Sequence, residues 1–119
     1  MTDEQINIQP TKGRCDNILE CVLSLNQQDL MSYKILVKNG PMRVEELSER
    51  LARHRSTASR CLKRLDSCGI CRKRQIAIER GGYYFIYEAL PLEKVKQILR
   101  DCTDRWYQDK NRAIDSLLE

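Results

Sequence analysis

The sequence predicts a mainly α fold with one small β-hairpin, an α+β chain ordered helix, helix, helix, hairpin, helix. Three observations predict it. Apolar residues recur at helical three-to-four spacing through residues 14–67 and again after residue 91. Only residues 71–89 switch to alternating and aromatic-rich runs around Arg80-Gly81-Gly82, which is a hairpin signal. At 119 residues, the chain is of a size for one domain with an appended helix.

The first 13 residues read as a polar arm ending at Pro10 and Gly13. Residues 14–25 set Cys15, Ile18, Leu19, Val22 and Leu25 at helical spacing, a short amphipathic helix. A second helix carries Leu30, Tyr33, Leu36 and Val37 and stops at Asn39-Gly40. Glycine tolerates the left-handed backbone that ends helices, and Pro41 prevents continuation. A third helix over residues 41–54 places Val44, Leu47 and Leu51 on one stripe and Glu45, Glu46 and Glu49 on the other. Its early glutamates suit the positive end of the helix dipole.

Ser56 reads as the N-cap of a fourth helix that ends near Gly69. At 100° per residue, Ala58, Cys61, Leu62, Leu65 and Cys68 share about a third of the circle. Ser56, Ser59, Arg60, Lys63 and Ser67 lie opposite, flanked by Arg64. After the hairpin, Pro91 suits the first turn of a last helix of about 27 residues, roughly 40 Å long. That length exceeds the width of a small domain, so its apolar stripe needs a partner.

Charge is concentrated. Residues 53–74 hold eight Lys or Arg and one acid, whereas the whole chain has a net charge of +4. A basic face on an otherwise ordinary protein is the footprint of a polyanion-binding surface. No apolar run approaches the ~18 residues of a membrane span, and the first residues lack a basic-then-apolar leader pattern. A cytoplasmic location with reduced cysteines is expected. Catalysis is not expected: the chain has one histidine, no Ser-His-Asp set and no glycine-rich phosphate loop.

Two helices joined by a turn of about four residues, with a basic second helix, form a helix-turn-helix. The trailing hairpin makes it winged, with N- and C-terminal flanking helices. The expected organisation is an arm and short helix at 1–27, the winged helix-turn-helix at 28–89, and a dimerisation helix at 90–119. The surface expected to meet double-stranded DNA comprises Arg55, Ser56, Thr57, Ser59, Arg60, Lys63 and Arg64, with Arg72, Arg74, Arg80, Gly81 and Gly82 on the wing. Arginine can donate paired hydrogen bonds to guanine, hydroxyls reach phosphates or base edges, and lysine neutralises phosphate.

The stretch Gly40-Pro41, Val44-Glu45-Glu46-Leu47, Leu51-Ala52, Arg55 to Arg60, Leu62 to Leu65 and Gly69-Ile70 resembles winged helix-turn-helix regulators of the TrmB, MarR and ArsR families. It is most similar to the TrmB-like DNA-binding domain, over about residues 28–89. The resemblance implies sequence-specific binding of duplex DNA by a homodimer, in transcription regulation. Against that pattern, no sugar-binding C-terminal domain of the kind such proteins often carry is expected here, and the cysteine content is higher than usual.

Six cysteines invite a metal reading. Cys61, Cys68 and Cys71 give one CxxC pair, short of the usual four zinc ligands. Cys15, Cys21 and Cys102 could meet if the terminal helices pack together. The cysteines read mainly as packing groups, with redox-sensing thiols and zinc or iron–sulfur ligation as alternatives. His54 reads as a surface turn residue. A protein-interaction module in a transcription complex is the alternative to a DNA-binding regulator, and a redox or metal sensor on the same scaffold is a third reading.

Overall fold

The computed structural model describes residues 17–119. The expected N-terminal arm and Cys15 lie outside them. Five helices and one hairpin follow in order: α1 Ile18–Leu23, α2 Gln27–Asn39, α3 Val44–Leu51, α4 Arg55–Ser67, β1 Cys71–Ala77, β2 Tyr83–Ala89 and α5 Leu92–Asp115.

α1 is short because Asn17 caps its start and Ser24 turns left-handed at its end. α2 begins with a capping box, in which Asn26 Oδ1 accepts from the Asp29 backbone N–H at 2.9 Å. The Asp29 carboxylate reciprocates by accepting from Asn26 N–H at 3.1 Å. Gly40, at φ 86°, ends α2 as expected.

α3 is shorter than the sequence suggests. Met42 exchanges both backbone hydrogen bonds with Tyr87, at 3.0 and 2.8 Å. That bridge holds the chain extended before α3, and Ala52 at φ 57° ends it.

α4 begins two residues before a cap at Ser56 would start it. His54, not Ser56, is its N-cap, because the His54 carbonyl already accepts from Thr57 and Ala58 N–H. Ser56 therefore sits inside the first turn, and no side chain caps this end.

The core lies where α2, α3 and α4 meet the hairpin. Leu36, Leu47, Ala58, Leu62, Leu65 and Ile70 are 1% exposed or less. Burial of each large aliphatic side chain stabilises the fold by about 1.5–3 kcal/mol. The hairpin pairs antiparallel from Cys71 opposite Ala89 to Ala77 opposite Tyr83. α5 enters the core through Val95, with Ile98 and Leu99 packed at its edge. Beyond Cys102 every residue of α5 is exposed, and the molecule reaches 74 Å along its longest axis.

Candidate nucleic-acid interface

The fourth helix divides as its spacing predicts. Ala58, Cys61, Leu62 and Leu65 are buried, while Ser56, Arg60, Lys63 and Ser67 face solvent. Thr57, Ser59, Arg64 and Cys68 are half-buried at the borders.

Arg64 turns inward, away from the exposed cationic face. Its Nε donates to both oxygens of Asp29 at 2.9 Å. Asp29 is completely buried, so the guanidinium neutralises a carboxylate that water cannot reach. Asp29 in turn holds Arg64 above its ordinary pKa. Arg64 locks α4 to α2, a role distinct from the phosphate contact expected of it.

Strand alternation splits the basic run Arg72-Lys73-Arg74. Successive side chains point to opposite faces of a strand. Arg72 and Arg74 share one face with Glu88, whose Oε1 accepts from both Nε atoms at 2.8 Å. Lys73 stands on the other face, its ammonium 4.1 Å from the centroid of the Phe85 ring.

That second face and the outer side of α4 are the two walls of a cleft of about 330 Å³. Ser59 and Lys63 line it from α4. Lys73, Tyr83 and Phe85 line it from the hairpin, and Arg43, Glu45 and Arg55 add to the lining. The structure thus places Lys73, not Arg72 or Arg74, beside the exposed face of α4. Sequence reasoning also missed Arg43, which stacks 4.5 Å over Tyr84. The period of two through residues 71–77 was the signal for Lys73. Arg43 had none, because the bridge that presents it spans 45 residues of sequence.

The remaining expected residues divide by partner. Arg55 is tied to Glu45 at 2.9 Å, a bond that holds the Glu45 carboxyl below its usual range. Arg60, Lys63 and Arg80 have no ion-pair partner among the described residues. Arg80, Gly81 and Gly82 form the exposed hairpin tip. Both glycines have positive φ, 98° and 86°, a backbone that side chains resist.

Cys61 and Cys71 are buried and free, and Cys68 is half-buried and free. Burial pushes all three thiols up, Cys71 to about 12. Cys21 and Cys102 line one groove between α1 and α5, together with Ile18, Val22, Thr103 and Trp106. Cys21 is disulfide-bonded. Among the described residues, no group of three or more His, Cys, Asp or Glu side chains could hold a metal ion. His54 is exposed in the turn before α4. No helix among the described residues is long and apolar enough to cross a membrane.

Comparison with known proteins follows this architecture. The family described as "sugar-specific transcriptional regulator TrmB" matches residues 19–93. An uncharacterised protein of Methanocaldococcus jannaschii is 32% identical over 102 residues, covering 86% of this chain and 77% of that protein. A possible transcriptional regulator from Methanosarcina mazei superposes with a TM-score of 0.73 at 22% identity, over 86% of this chain and 87% of that one. A MarR family protein from Bacillus stearothermophilus superposes at 0.50 with 19% identity, over 86% and 67% of the two chains. The fold is that of winged-helix regulators, as the sequence predicts.

Proposed function

The chain belongs to the TrmB family of transcriptional regulators, and from that premise we propose that it binds double-stranded DNA sequence-specifically as a homodimer. α4 is the recognition helix and enters the major groove. The observation that carries this reading is the cleft wall made by Ser59, Lys63 and the neighbouring Arg60. Two exposed cations without carboxylate partners stand there beside hydroxyls. Solvated helices usually mix signs, and α4 has no acid before Asp66.

The hairpin extends this surface on two sides. Lys73 continues the cationic wall, and Tyr83, which lines the same cleft, is 57% exposed at the hairpin end. Arg80, at the glycine tip, reaches the adjoining phosphates or minor groove. Arg72 and Arg74 contribute less, because Glu88 cancels part of their charge. In the homodimer, α5 supplies the contact and two copies of α4 address half-sites about one helical turn, ~34 Å, apart.

The test is fluorescence anisotropy of the full chain with duplex DNA at two salt concentrations. Replacing cations at phosphate contacts makes affinity fall steeply with salt. Binding that is absent, or flat with salt, overturns the reading and favours a protein-binding surface. Selection from a random duplex library then supplies the operator.

A further inference from the structure

Consecutive residues of β1 hold their cations in two different ways. Arg72 and Arg74 are held by a carboxylate, Glu88, at 2.8 Å each. Lys73, between them, is held by a ring, its ammonium 4.1 Å from the Phe85 centroid. The two holds differ electrostatically. A carboxylate fixes a cation and cancels its charge. An aromatic face attracts a cation through the ring quadrupole and carries no net charge, so the cation keeps its own.

Nothing else takes that charge up. Among the described residues Lys73 has no ion pair or side-chain hydrogen bond. Glu45, the carboxylate lining the same cleft, is engaged by Arg55 at 2.9 Å and by Arg43 at 3.8 Å. A lysine ammonium has three N–H donors. The ring covers one side of it, and the rest remains open to an anion in the cleft that Ser59 and Lys63 line from α4.

The ring is itself held in place. Phe85 is half-buried, and Tyr83 meets it edge to face, with centroids 5.3 Å apart and planes at 71°. Two residues further on, Tyr87 bridges to Met42 and ties the strand to the helices. A free lysine has many rotamers, and freezing it on a ligand costs affinity. On Phe85 part of that ordering is complete before the ligand arrives.

We propose that Phe85 is a positioning residue for DNA binding, whose ring seats the fully charged Lys73 ammonium to meet a backbone phosphate between the wing and α4. This rests on the DNA-binding reading above and adds to it the residue that places the wing cation. It also separates the two faces of β1: the carboxylate-held arginines brace the hairpin, and the ring-held lysine meets the polyanion.

Fluorescence anisotropy of the full chain with a random-sequence duplex, across a salt series, tests it. Lys73→Ala is expected to weaken binding and to reduce the slope of log affinity against log salt by about 1. Phe85→Leu is expected to weaken binding about 3- to 10-fold with the slope kept, because the charge is still present. Phe85→Tyr, which retains a ring, restores wild-type affinity. With Lys73→Ala already in place, Phe85→Leu has no further effect.

An equal loss from Phe85→Leu with and without Lys73 overturns the positioning role and leaves Phe85 a structural residue. So does wild-type affinity in Phe85→Leu. Lys73→Ala with unchanged affinity and slope removes Lys73 from the phosphates. Proton NMR of the unaltered chain gives a reading independent of any variant. The Lys73 methylene next to the ammonium should resonate upfield through the Phe85 ring current, before and after DNA is added, and an unshifted signal overturns the seat. A wild type that does not bind the duplex overturns the DNA reading itself, whereas the other outcomes leave that reading standing.

Discussion

α4 and α5 are both amphipathic helices, yet their outward faces have opposite chemistry. α4 buries Ala58, Cys61, Leu62 and Leu65 and shows solvent hydroxyls and cations. α5 buries only Val95 completely and shows solvent Trp106, Tyr107, Ile114 and Leu117. A charged face without carboxylates suits a polyanion, whereas an exposed apolar face suits another protein surface. The contrast teaches that one small chain can hold two binding faces by giving each to a different helix.

The largest way to break the comparison is to loosen α4 from beneath. Arg64→Ala leaves the Asp29 carboxylate buried without its cation and is expected to cost about 3 kcal/mol, the low end for a broken buried pair. Urea unfolding followed by circular dichroism measures it. An unchanged midpoint refutes the pair's structural role. Removing a large anchor from the other face is next. Trp106→Ala should weaken the dimer by at least about 10-fold while leaving the unfolding midpoint of the monomer in place, as sedimentation across a dilution series shows.

Lys63→Ala should lower DNA affinity several-fold and reduce the slope of log affinity against log salt by about 1. Its unfolding curve should stay that of the wild type. An effect at only one DNA sequence assigns Lys63 to a base instead of a phosphate.

The floor beneath α4 gives a pH signature. The Cys71 thiol is raised in the folded chain from an ordinary 9.0 to about 12. Its contribution to stability is complete below pH 9 and is lost as pH rises from there through about 12, because the unfolded chain releases its proton first. Cys61, Cys68 and Tyr33 shift in the same direction through burial. Denaturation midpoints should fall across that range, and iodoacetamide at pH 8 should modify half-exposed Cys102 well before Cys71. The smallest effect is expected from Glu88→Gln, about 1 kcal/mol in stability, because both arginine partners of the carboxylate are solvated. DNA affinity should rise slightly as Arg72 and Arg74 are released, and anisotropy at low salt detects it.

Much of this was legible in residue spacing. Ala58, Leu62 and Leu65 repeat at three and four, so the inner face of α4 could be read directly. Leu99, Trp106 and Leu117 likewise marked α5 as needing a partner. The unread features depend on contacts between distant residues. Asp29 looks like an ordinary helix-start acid, and nothing near it in sequence announces Arg64, 35 residues away. Ser56 has the right hydroxyl for a cap, but the backbone becomes helical two residues too early. Charge alone marks Arg72 and Arg74, yet the alternation of the strand separates them from Lys73.

The Met42–Tyr87 bridge has a mechanical consequence. It clamps the hairpin to the α2–α3 turn at the level of Tyr87, so the wing is a lever with its fulcrum there. From Tyr87 to Tyr83 the overhang is four residues, about 14 Å at the rise of an extended strand. Amide protons at the fulcrum should exchange slowly and those toward Gly81 quickly, a gradient set by distance from one pair of backbone hydrogen bonds. The base of the wing thus moves with the helices, and its tip is left free to adjust.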